Sequence, residues 1–221
     1  MSGNFSYSVK YQRRKTLALH VLADGSVEVR APVGLPEPLI VRFVEERAQW
    51  IVRTKQRQSS KHRWQNAIEP GAQLWYLGTP RQLEVHPSKF NVVQVDDVSL
   101  RVYARDHGNL PVVARQLETW MREQAALLFR ERLALGVLAF PDIEPPALRL
   151  RKMRQRWGSC SSRGHITLNT ELIKLPLTLI DYVIAHELCH LFEFNHSPRF
   201  YRRLEQAMPD WRQREVMLKQ F

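Results

Sequence analysis

Apolar residues recur along the chain with two periods, and the period assigns the elements. Leu17, Leu19 and Val21, then Val27 and Val29, alternate with polar neighbours on either side of Asp24-Gly25, a tight-turn dipeptide, so residues 7–31 are expected to form a β-hairpin. After Pro36 the period changes: Ile40, Phe43, Val44, Arg47 and Ile51 fall at helical spacing, with charges on the opposite side, which predicts one amphipathic helix. From Gln73 to Tyr103, short runs of Val, Leu and aromatics are broken by Gly78-Thr79-Pro80, Pro87-Ser88 and Asp96-Asp97, the signature of a small antiparallel sheet. Residues 111–136 carry Pro near the start, Gly at the end and Val113, Leu117, Trp120, Met121, Leu127 and Leu128 between them, which predicts a long helix. The polar stretch 55–70, which holds Trp64, is the linker candidate, and no internal repeat is visible. The pattern is that of an α+β protein, a β-rich half followed by a helical half.

Composition narrows the class. With 221 residues and 44% hydrophobic side chains the chain can bury a core, and its apolar runs meet charges well before the roughly 20 residues a bilayer span needs. The opening MSGNFSYSVKYQRRK lacks the apolar segment of a secretory signal, and the two cysteines, Cys160 and Cys189, form no CxxC pair, so a reducing, cytoplasmic location is expected. The net charge of +11 attracts polyanions, and residues 151–221 hold twelve Lys and Arg against seven Asp and Glu, so the charge is denser in the C-terminal third. Most of Arg149, Arg151, Lys152, Arg154 and Arg156 read as a solvated face of a strand.

One segment carries chemistry. His186-Glu187-Leu188-Cys189-His190 is an HExxH pattern inside a helical apolar repeat of Ile180, Val183, Ile184 and Leu191. On a helix, residues four apart differ by roughly 40° and about 6 Å along the axis, so His186 and His190 can converge on one ion. Glu187 then points beside that ion, where a general base is more useful than a further ligand. A catalytic zinc takes a third protein ligand; His196 is favoured by spacing, with Glu205 or Glu215 as alternatives. For His196 to reach the ion the helix must end after His190, and Asn195, tolerant of left-handed backbone, and Pro198 supply a stop. The spacing equals that of metzincins, but Glu193 stands where their glycine would be. Tyr182 and Cys189 read as packed side chains, and Asn169 as turn chemistry at a strand end.

These motifs resemble a known family. Arg156-Trp157-Gly158-Ser159-Cys160, Ile166-Thr167-Leu168-Asn169, the DYVIAHELCHLFEFNHSPRFY segment and Met208-Pro209-Asp210-Trp211 are similar to the YgjP-like metallopeptidases, themselves related to SprT-type minimal zincins. VRAP at 29–32 and Gln49-Trp50-Ile51 extend the similarity towards the N-terminus, while Tyr201 stands where many members carry Trp. The resemblance implies Zn2+ held by His186, His190 and His196, Glu187 as the catalytic residue, Arg156 as a substrate-binding residue, and a short antiparallel sheet beside the HExxH helix. The chain reads as a β-rich region with one amphipathic helix over 1–105 and a zincin-like region over 106–221 within one family domain, and Met208 reads as core packing, with a Met-turn beneath the metal as the alternative. A peptide or protein substrate is the first expectation. A nucleoside triphosphate pyrophosphatase is the alternative, since some relatives are described as such, and nucleic-acid binding around a structural zinc is the third.

Overall fold

The computed structural model describes residues 6–22, 24–63, 68–141 and 143–221, with only the backbone described for residues 56–63. It divides into two compact units, residues 1–65 with 220–221, and residues 66–219.

In the first unit, β2 (Ala18–Val21) and β3 (Val27–Pro32) form the expected hairpin. Gly25 takes a positive φ of 81°, and Asp24 Oδ1 accepts the Ser26 N–H at 2.9 Å. The strand β1 (Tyr7–Gln12) corrects the expectation that residues 7–31 are hairpin throughout: it lies on the far side of β3 and runs parallel to it. That register pairs Tyr7 with Val27 and Val9 with Val29, so all four apolar side chains share a face. The amphipathic stretch is likewise divided into α1 (Glu37–Glu45) and α2 (Ala48–Arg63). The Arg47 N–H donates to Val44, three residues back, a tight turn between the two helices. Ile40, Val44 and Ile51 nevertheless join Val27, Val29 and Ala31 in one core. The helix α2 carries the polar stretch through Arg63, and residues 64–67, including Trp64, lie outside the described residues.

The second unit opens with β4 (Gln73–Tyr76), β5 (Thr79–Pro87), β6 (Val92–Val95) and β7 (Ser99–Ala104), in the order β4-β5-β7-β6. This sheet is mixed, not wholly antiparallel, because β5 and β7 run parallel. The most buried strand, β7, takes an interior position beside β5, and its Leu100, Val102 and Ala104 pack with Leu83 against Val113 and Leu117 of α3 (Leu110–Val137). The helix α3 spans the range its apolar spacing predicts and lies along α4 (Leu177–Cys189). Gly136 permits that approach: a Cβ there would stand 3.1 Å from Ile184 and 3.2 Å from Leu188. Arg132 Nε donates to Asp181 Oδ1 at 2.7 Å and ties the same two helices together.

Beside α4 lies a three-stranded sheet in the order β8-β10-β9, from β8 (Leu148–Arg151), β9 (Gly158–Cys160) and β10 (Ile166–Asn169). The pair β9 and β10 is antiparallel, as expected, and β8 adds in parallel on the other side of β10. Leu148 pairs with Ile166 and Leu150 with Leu168, and Ile166 and Leu168 are fully buried, so alternation places Arg149 and Arg151 on the opposite, exposed face. A 3-10 turn, Thr170–Lys174, leads to Pro176 at the start of α4, and the carbonyls of Ile173 and Lys174 accept the N–H groups of Leu77 and Gly78. The chain closes with α5 (Pro198–Ala207) and α6 (Trp211–Leu218).

Candidate metal centre

The apolar repeat that makes α4 a helix also fixes its orientation: Leu179, Ile180, Val183, Ile184 and Leu188 are all buried. That packing leaves His186 at the edge of the core and His190 at the helix C-cap. The helix ends there, as the spacing of His196 requires. The Phe192 and Glu193 N–H groups turn back onto the Cys189 carbonyl, and Ser197 then caps α5 by accepting the Phe200 N–H. Asn195 does not supply a left-handed residue, since Leu77 is the only non-glycine with positive φ among the described residues. Pro198 acts by starting the next helix at its first position, where the missing N–H costs nothing.

This turn returns His196 to α4. His186 Nε2 lies 3.2 Å from His190 Nε2 and 3.0 Å from His196 Nε2, and one donor nitrogen from each ring falls within a 4.8 Å group. Two ligands bound at about 2.05 Å in tetrahedral geometry stand about 3.3 Å apart, so the observed separations suit one small cation. His190 Nδ1 donates to the Glu193 carbonyl at 3.0 Å, which leaves Nε2 as the lone-pair nitrogen facing the other rings. Burial, together with the neighbouring imidazoles, pulls the His186 pKa down to about 3. Three neutral imidazoles aimed at one point are the donor set of a zinc or similar nitrogen-preferring site. Neither alternative ligand joins them: Glu205 accepts from Trp211 Nε1 at 3.1 Å and from Arg212 at 2.9 Å, and Glu215 pairs with Lys219 at 2.9 Å.

Glu187 is buried and its Oε2 has no hydrogen-bond partner among the described residues. Burial raises its pKa to about 7, opposed in part by the positive charge of Arg156. Arg156 itself is exposed, on the segment that enters β9. Tyr182 is buried with its ring 6.0 Å from His186, and burial pushes its phenol well above the usual range. Cys189 is fully buried with its thiol pushed up to about 12, the behaviour of a packed small side chain. Met208 ends α5, where its N–H donates to the Leu204 carbonyl.

Two residues matter more than their spacing suggests. Phe200 is fully buried with its ring centroid 4.9, 4.7 and 4.7 Å from those of His186, His190 and His196, an apolar floor beneath all three. Its signal was its place three residues after the capping Ser197. Asn169 is more than turn chemistry. Its buried Nδ2 donates to the carbonyls of Met153 and Arg156, both at 2.9 Å, while Oδ1 accepts from the Met153 and Glu171 N–H groups at 3.2 Å. It thereby fixes the segment that carries Arg156.

The shifted imidazoles and carboxyl of the site give the metal-free protein a specific pH dependence. His186, lowered from 6.5 to about 3, favours folding above pH 6.5 and withdraws that stability as the pH falls towards 3. Glu187, raised from 4.5 to about 7, acts the other way and favours folding as the pH falls from 7 to 4.5. The His190 pKa is lowered as well, chiefly by burial, so the two histidines together outweigh Glu187 and the metal-free wild type should lose stability modestly as the pH falls from 6.5 to 4.5. Glu187→Gln should lose up to about 1.4 kcal/mol per pH unit more than the wild type over the same window. Denaturant melts of both proteins across that range check this, and parallel curves would contradict it.

The model of the YgjP-like metallopeptidase domain matches residues 15–221, across both units. No curated protein matches. Similar solved structures include the metallopeptidase zymogen of Pyrococcus abyssi abylysin, at 24% identity and a TM-score of 0.38, over 41% of this chain and 90% of that one. Another is the metallopeptidase zymogen of Methanocaldococcus jannaschii jannalysin, at 20% identity and a TM-score of 0.37, over 41% and 86%. On the strength of the family match across residues 15–221, the chain belongs to the YgjP-like metallopeptidases.

Proposed function

We propose that the protein is a zinc-dependent metallopeptidase in which His186, His190 and His196 hold the ion, Glu187 is the general base and Arg156 meets the substrate. The observation that carries this reading is the convergence of three imidazole nitrogens at the end of the helix that also carries Glu187, a buried carboxylate whose Oε2 has no hydrogen-bond partner among the described residues. Zinc bound there supplies Lewis acidity, polarising a carbonyl and acidifying water.

The protein's own groups do the rest. Glu187 Oε2 is a free acceptor able to take the proton of an attacking water and return it to the leaving amine. Phe200 closes the underside of the site and holds the imidazoles in an apolar setting. Arg156, whose charge lowers the Glu187 pKa, is the residue that would receive a carbonyl or carboxylate of the bound peptide. The free thiols of Cys160 and Cys189 fit work in the reducing cytoplasm, and no described helix is long and apolar enough to cross a membrane.

The exposed Arg149 and Arg151, with Arg154 and Arg156 following, favour phosphohydrolase action as the second reading, since a basic strand can hold a triphosphate. Zinc-loaded protein incubated with a chemically unfolded protein and, separately, with nucleoside triphosphates separates the two. New peptide ends, abolished by a chelator and restored by zinc, are expected. Diphosphate release without peptide cleavage would replace the peptidase reading with the other.

A further inference from the structure

We propose that Gly158 is a positioning residue for the Glu187 carboxylate, the surface against which that side chain is set. This rests on Glu187 acting as the base. A Cβ on Gly158 would stand 2.6 Å from Glu187 Oε1, 2.8 Å from Cγ and 2.9 Å from Cδ, closer than real Cβ atoms come to any heavy atom. Backbone conformation does not demand glycine here, since Gly158 is absent from the positive-φ residues. What demands it is proximity to the carboxylate.

Neither side of the contact can yield easily. Glu187 belongs to α4, whose flanking Ala185, Leu188 and Cys189 are buried. Gly158 begins β9, paired in register with Leu168 of β10, and the preceding Trp157 carbonyl accepts the Asn169 N–H at 2.8 Å. Asn169 also fastens Met153 and Arg156 through its side chain. With both backbones held, a methyl group at 158 has to be accommodated by rotation of the Glu187 side chain. Gly158 thus sets the rotamer in which Oε1 rests against β9 and Oε2 is left unpartnered.

Gly158→Ala, Glu187→Ala and the double variant, each as full-length protein loaded with zinc, test this. Gly158→Ala should keep its metal and its KM within about threefold, while kcat falls about 100-fold, the scale of losing a well-placed base. It should also lower Tm by about 5 °C through overpacking. In the Glu187→Ala background the same glycine change should alter neither the residual kcat nor Tm, because the atoms it strikes are gone. A kcat within threefold of wild type, or an equal Tm loss in both backgrounds, overturns the proposal. Should Gly158→Ala fail to fold, a folded double variant supports the proposal and an unfolded one overturns it. If the wild type itself cleaves no peptide, the base assignment falls, while the Tm comparison still decides whether Gly158 and Glu187 are coupled.

Discussion

Glu187→Gln should retain one metal ion and the native fold while losing hydrolysis by a factor of about 10² to 10⁴, the range attributed to a positioned general base. The substitution is nearly isosteric, so the amide fits the space against Gly158 that the carboxylate fills. What it removes is basicity: a neutral amide cannot take a proton from water at any working pH. It also removes the cost of burying a carboxylate whose Oε2 has no partner, so the metal-free variant should be at least as stable as wild type at neutral pH. Metal analysis, thermal melting and a peptide-cleavage assay on one preparation separate these effects. Undiminished cleavage would remove Glu187 from the reaction, whereas lost metal would recast it as part of the binding site.

His186→Ala should abolish zinc binding outright, because the His186 ring joins the other two: its Nε2 lies 3.2 Å from that of His190 and 3.0 Å from that of His196. A ligand that binds only the folded protein at about 1,000 times its Kd adds roughly 4 kcal/mol, which for a chain of this size is a Tm increase of roughly 10 °C. Wild type should show that increase on adding zinc, and His186→Ala should show none. His196→Ala should still bind, but more weakly, since His186 and His190 remain on one helix to hold the ion by two nitrogens. An equal zinc-induced rise in His186→Ala would place the ion elsewhere.

Local sequence signals gave what depends on local geometry. The HExxH spacing has meaning because four residues make one helical turn, and the buried face of α4 makes that helix. The long α3 and the turn at Asp24-Gly25 were legible for the same reason. Strand order was not: β1 beside β3, and β5 beside β7, are parallel neighbours chosen by which apolar faces share a core, and alternation along one strand carries no record of its partner. At the site, His196 was legible through its distance from His190, while the turn that returns it was misjudged at Asn195, which takes no positive φ. Phe200, Gly158 and Asn169 were opaque because each acts through neighbours from other elements: three rings above Phe200, a carboxylate against Gly158, and a loop's carbonyls on Asn169.

X-ray absorption at the zinc edge of the reconstituted protein reads the ion's surroundings directly. Three imidazole nitrogens at about 2.0–2.1 Å, a further light atom from solvent and no sulfur shell near 2.3 Å are the expected result. Sulfur from Cys160 or Cys189, four protein ligands with no open position, or no bound zinc at all would contradict a hydrolytic centre built on His186, His190 and His196.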